Sequence, residues 1–142
     1  MIDINELRIG NLVSTNGKPM NTSDKGVYKV LAIDSRDSFE ELKGCVTITC
    51  DDPRYRDIGA WCQYLEPIPL TPELLEKYGF IYDKEIGYFV NNSLRISIKV
   101  GFFGTSKIGI YYLHFFLIFC KYLHQLQNMY YAITGKELEI NT

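Results

Sequence analysis

The stretch from Lys121 to Gly135, KYLHQLQNMYYAITG, constrains the fold more than any other. At about 100° per residue, Tyr122, Leu126, Met129 and Ile133 fall on one stripe, with Leu123 and Tyr130 along its edge. Apolar side chains gathered into about a third of the circumference predict an amphipathic helix with that stripe in a core. Gly135 ends the helix, because glycine enters the left-handed conformation at no steric cost. His124, Gln127, Asn128 and Tyr131 lie opposite the stripe. They form a partner surface, line a pocket, or make a strip that packs on the N-terminal lobe through hydrogen bonds.

The first seventy residues read as short strands without a helix. Glu6 to Thr15 ends at Asn16-Gly17, which favours a type I′ turn, and a polar loop follows around residues 21–26. Val27 to Ile33 is apolar on both faces, Ser35 to Lys43 is a charged loop or helical turn, and Cys45 to Cys50 is a strand. In that last strand Val46 and Ile48 share one face. Residues 51–59 are a loop, and Trp61 to Leu65 returns as a strand. This pattern predicts a small curled antiparallel sheet, loosely similar to SH3-like folds.

Glu66-Pro67-Ile68-Pro69-Leu70 is an extended bridge, since each proline holds its predecessor out of the helical region. The predicted division is a β-rich lobe over 1–66, a linker over 67–70 and a second lobe over 71–142. Thr71 to Gly79 is a short helix with Thr71 as N-cap, Pro72 at the first position and Gly79 as terminator. Gly87 to Val90 and Ser93 to Val100 then flank an Asn91-Asn92 turn, which pairs Phe89 with Leu94 and Tyr88 with Arg95. A third strand runs over 108–112, after an odd-length loop at Phe102-Phe103-Gly104. The apolar face of this meander receives the C-terminal helix, and Leu138 and Ile140 alternate as a terminal strand. The whole is α+β: an SH3-like N-terminal lobe and an α-βββ-α(-β) C-terminal lobe.

ELRIGNLV near the start, LEPIPLTPELLEKYGF in the middle and KYLHQLQNMYYAITGKELEI at the end resemble a family of small uncharacterised proteins from Bacteroidetes genomes, their phages and other mobile elements. The resemblance implies a bacterial cytoplasm as the setting. It implies no catalytic residue, ligand or cofactor.

Chemistry is restricted by spacing. Cys45 and Cys50 point to opposite faces of a strand and lie about 17 Å apart, too far to share a zinc ion. No CxxC or HxxxH pattern exists, so the thiols read as small buried hydrophobes. His114 and His124 would sit about 15 Å apart on one helix and cannot act as a pair. Cys120 and His124 could touch, but no third residue orients them. GFFGTSK contains GxxG without the phosphate-loop string, and it lies between strands, unlike a KH loop. Asp51, Asp52 and Asp57 are interleaved with Arg54 and Arg56 and lack calcium-loop spacing. No catalytic residue, metal site or cofactor is expected.

The net charge of −2 gives no global attraction to nucleic acid or anionic membrane. Locally the balance differs: between Ile86 and Lys136 there is no carboxylate, while Arg95, Lys99, Lys107, Lys121 and Lys136 are present. The run Ile108 to Cys120 is shorter than the ~20 residues a membrane helix needs, and the N-terminus lacks the apolar core of a signal peptide. A cytoplasmic protein without a membrane partner is expected. The polar face of the C-terminal sheet, with Tyr88, Arg95, Ser97, Lys99, Lys107 and Tyr111, interleaves cations with aromatics. It is either a solvated face or a nucleic-acid surface. The predicted function is non-catalytic binding to a partner protein, with nucleic acid as the alternative ligand and an enzyme last.

Overall fold

The computed structural model describes residues 2–18, 26–39, 41–101 and 107–139. The described residues form two five-stranded antiparallel sheets and two α-helices, a mixed but mostly β structure. They divide into two units, Met1–Ile68 with Leu123–Gly135, and Pro69–Tyr122 with Lys136–Thr142. Among them no helix is long and apolar enough to cross a membrane. The loop at 21–25, the Phe102-Phe103-Gly104 turn and Ile140 lie outside the described residues.

The first unit contains β1 (Leu12–Thr15), β2 (Tyr28–Phe39), β3 (Leu42–Thr49), β4 (Ile58–Trp61) and β5 (Leu65–Glu66), in the order β4-β3-β2-β1-β5. Val46 and Ile48 are fully buried on the face their alternation predicts, against Val13, Tyr28, Val30 and Leu65. Ser35 to Lys43 is not a loop or a helical turn. Ser35 to Phe39 continues β2 and Leu42 to Lys43 opens β3, with Ser38 opposite Lys43 and Phe39 opposite Leu42. Strand pairing at Ser38, Phe39, Leu42 and Lys43 engages this charged segment's backbone, whatever its poor apolar pattern. A register shift between Asp34 and Ser38 faces Gly44, whose φ is +78° and whose added Cβ would meet Ile4 Cδ1 at 2.5 Å. The Ile4 tip can move, but the backbone cannot. Gly44→Ala is therefore expected to cost about 1–2 kcal/mol in urea unfolding, and an unchanged midpoint would show that the turn relaxes.

Asn16-Gly17 does not make a two-residue hairpin, since Val13 pairs with Tyr28 and the connection is much longer. Gly17 does adopt a positive φ, and Asn16 Oδ1 accepts a hydrogen bond from the Lys18 N–H. Trp61 to Leu65 is broken by a one-turn 3₁₀ helix at Cys62–Tyr64 before β5 returns beside β1.

The second unit opens with α1 (Pro72–Lys77), capped as predicted: Thr71 Oγ1 accepts from the Leu74 N–H, and Gly79 follows at φ +82°. Its sheet is a meander of β6 (Ile81–Asp83), β7 (Tyr88–Asn91), β8 (Ile96–Val100), β9 (Ile108–Tyr112) and β10 (Phe115–Phe119), in the order β10-β9-β8-β7-β6. Phe89, Ile96, Ile98 and Ile110 are buried on one face. The β7–β8 register differs from expectation: Phe89 faces Ile98, not Leu94. Asn91 is the reason. Its Oδ1 accepts from the Leu94 N–H and its Nδ2 donates to the Tyr78 carbonyl, so it is held as the last strand residue and the turn moves to 92–95. A shift of four residues is even, so the residues that stay in the strands keep their predicted faces, while Leu94 and Arg95 pass into the turn.

The C-terminal helix, α2 (Leu123–Thr134), ends at Gly135 with φ +70°, as its sequence requires. Its partner does not match expectation. It belongs to the first unit, where side chains of α2 hydrogen-bond the segment from Glu6 to Leu12. The buried arc is Leu123, His124, Leu126, Gln127 and Tyr130, whereas Ile133, expected in the core stripe, is exposed. Hydropathy placed the arc about one position off because it cannot count a buried amide that finds partners.

Candidate nucleic-acid interface

Alternation puts Ser97, Lys99 and Tyr111 on the face of the second sheet opposite Ile96, Ile98 and Ile110. Ser97 pairs with Tyr111, and Tyr111 with Phe116 on the edge strand. Lys99 pairs with Gly109, and Gly109 with Phe119. In a regular strand Phe116 and Phe119, three apart, would point to opposite faces. A register shift between Phe116 and Ile118 leaves Leu117 as the extra residue and returns Phe119 to the face of Phe116.

The result is a continuous row of rings across four strands' width. Tyr88 meets Tyr111 edge to face at 5.5 Å, Tyr111 meets Phe116 at 5.5 Å, and Phe116 meets Phe119 at 5.0 Å. Lys99 Nζ lies 5.5 Å from the Tyr88 ring centre, and Lys107 Nζ lies 5.2 Å from that of Phe119. Desolvation and then a hydrogen bond with Tyr88 push the Tyr111 hydroxyl above the usual phenol range. Phe116 and Phe119 are more than 40% exposed, and all five residues of β10 are exposed. Phe116 and Phe119 were not legible as site residues, because only the bulge brings them to this face.

Arg95 does not join that face. It sits in the 92–95 turn at φ +60°, where strand alternation no longer applies. There it lines a cleft of about 230 Å³ with Asn92, Ser97, Leu113 and His114. Ser97 also belongs to the aromatic face, so cleft and ring row are contiguous. Leu113 and His114 form the two-residue β9–β10 turn with φ of +50° and +68°, between the paired residues Tyr112 and Phe115. Such a turn ordinarily carries Asn-Gly, and non-glycine residues held there cost about 1–3 kcal/mol each. Leu113→Asn with His114→Gly is accordingly expected to stabilise the second unit by about 1–2 kcal/mol in chemical unfolding. A loss of stability would show that their side chains hold the turn.

His124, Gln127, Asn128 and Tyr131 resolve into the packing alternative. Gln127 Oε1 accepts from the Leu12 N–H at 2.8 Å. Asn128 Oδ1 accepts from Asn11 Nδ2 at 2.7 Å and Arg8 Nε at 3.2 Å, while its Nδ2 donates to the Glu6 carbonyl at 2.7 Å. The buried His124 ring lies 3.2 Å from the Glu6 carboxylate, and the Arg8 guanidinium covers the Tyr131 ring at 4.1 Å. These groups build the first unit.

No family model, curated protein or solved structure matches the chain.

The thiols stand apart from the ring row. Burial pushes Cys120 up to about 11 and also raises Cys62, whose Sγ donates to the Ile2 carbonyl, so both remain neutral thiols near pH 7. In the 51–57 loop, Asp52 is held down at about 2 by its hydrogen bonds and ion pair with Arg54. Among the described residues no three His, Cys, Asp or Glu side chains gather as metal ligands.

Proposed function

We propose that this chain is a non-catalytic binding module that takes single-stranded nucleic acid on the outer face of its second sheet. The row Tyr88–Tyr111–Phe116–Phe119, bracketed by Lys99 and Lys107, carries the reading. Exposed rings offer flat faces to unpaired bases of any identity, and lysines beside them neutralise the connecting phosphates. No carboxylate occurs in the sequence between Ile86 and Lys136. The resemblance to proteins of phages and mobile elements suits a setting rich in single strands. The first unit serves as scaffold. Its strand order, with β5 returning beside β1 after a single 3₁₀ turn, supports the SH3-like reading of that unit.

The test is fluorescence anisotropy with a labelled oligo-uridylate or oligo-thymidylate, against a duplex of equal length, over a salt series. Two to three neutralised phosphates predict a log–log salt slope of about −1.5 to −2, and the single strand should bind more tightly than the duplex. Equal duplex affinity, or no binding at low salt, overturns the reading. A partner protein is the second reading, favoured by the exposure of Phe115, Leu117 and Ile118, which lie outside the ring row on the same edge strand.

A further inference from the structure

The cleft beside the ring row has its own chemistry. Asn92, Arg95, Ser97 and His114 all bring hydrogen-bond donors to it, and no carboxylate lines it. Asp83 lines a wider, overlapping cleft of about 490 Å³ that shares Asn92, Ser97 and His114 with the first, and there its Oδ1 accepts from the Glu85 N–H. Both the Arg95 and His114 side chains are exposed, and among the described residues neither the guanidinium nor the ring has a hydrogen-bond or ionic partner. At about 230 Å³ the cleft is smaller than the roughly 300–1,000 Å³ typical of larger ligands, a size suited to one small polyatomic group.

The backbone points the same way. Arg95, Leu113 and His114 come from two different turns, yet all three hold a positive φ, and the Leu113 N–H donates to the Arg95 carbonyl at 3.0 Å. That bond ties the two turns together and fixes Arg95 and His114 at one end of the sheet. Strained non-glycine backbone clusters at ligand-binding and active sites.

From this convergence we infer that the cleft is a phosphate-monoester site. The guanidinium supplies a planar fork for two phosphate oxygens, and the His114 ring, Asn92 amide and Ser97 hydroxyl donate to the others. The phosphate comes either from the end of a strand lying on the ring row, which rests on the nucleic-acid reading above, or from a free phosphorylated small molecule. A monoester fits better than an internal diester because its extra charge and third terminal oxygen match the surplus of donors.

The experiment uses the full chain and three oligo-uridylates of one length: 5′-phosphorylated, 3′-phosphorylated and unphosphorylated. Inorganic phosphate is added separately, with the His114 ring followed by NMR. Either terminal phosphate is expected to tighten binding about tenfold, and inorganic phosphate to shift the His114 resonances and compete away that gain. Arg95→Asn and His114→Asn remove the guanidinium and the imidazole while keeping a residue that tolerates positive φ, so the fold is retained. Each variant should abolish the gain while changing unphosphorylated affinity less than twofold. Phosphate that shifts His114 without any oligonucleotide binding upholds the cleft, assigns it to free phosphates and removes the ring-row reading. Oligonucleotide binding that ignores terminal phosphate, with no His114 shift, overturns the inference and leaves the ring row standing.

Discussion

Replacing Asn128 with alanine should destabilise the first unit by about 1–3 kcal/mol. Its side chain satisfies Asn11 Nδ2, Arg8 Nε and the Glu6 carbonyl, and Asn11 is fully buried. A buried polar group left without a partner costs about 1–3 kcal/mol, and alanine orphans Asn11 Nδ2, while the Glu6 carbonyl is exposed to water. Asn128→Asp keeps the acceptor for Asn11 and Arg8 but sets an oxygen against the Glu6 carbonyl, so an intermediate loss is expected. Ile133→Ala is the contrast: Ile133 belongs to the stripe that hydropathy places in the core, yet it is exposed, and its loss should cost less than about 1 kcal/mol. Trp61, the single tryptophan, lies on β4 and reports the first unit directly in urea titrations. If Ile133→Ala proved costlier than Asn128→Ala, the helix would be held by its apolar stripe and not by its amides.

Phe116→Ala and Phe119→Ala are each expected to weaken single-strand binding by about tenfold, and together by about a hundredfold. A stacked base is worth about 1–3 kcal/mol by alanine substitution, and these two rings are the most exposed of the row. Their exposure on an edge strand also keeps the structural cost small, unlike Tyr111 in the interior of the sheet. Lys99→Glu with Lys107→Glu should act differently, lowering affinity at low salt and flattening the salt slope by about 1.4 for two lost phosphate contacts. Rings and lysines are thereby separable in one set of anisotropy titrations. A ring variant that changed only the salt slope would refute stacking.

Two kinds of information built this protein. Local chemistry was legible in the residues: the Thr71-Pro72 start and Gly79 stop of α1, the Gly135 stop of α2, and the buried faces of Val46 with Ile48 and Ile96 with Ile98. Caps, positive-φ glycines and period-two alternation act over a few residues, so a few residues reveal them. The meander's faces survived even a wrong turn at Asn91-Asn92, because an even shift preserves parity.

What covers each face was decided elsewhere. Gln127 and Asn128 look like surface residues until the Glu6–Leu12 segment, more than a hundred positions away, presents groups that match them. Phe116 and Phe119 share a face only because a bulge resets the pleat, and Arg95 and His114 meet at one cleft only because two turns end side by side. The sequence by itself determined where elements begin, end and turn their apolar sides. Tertiary structure alone decided which polar groups are consumed in holding the fold and which remain for a ligand, because that depends on partners distant in the chain.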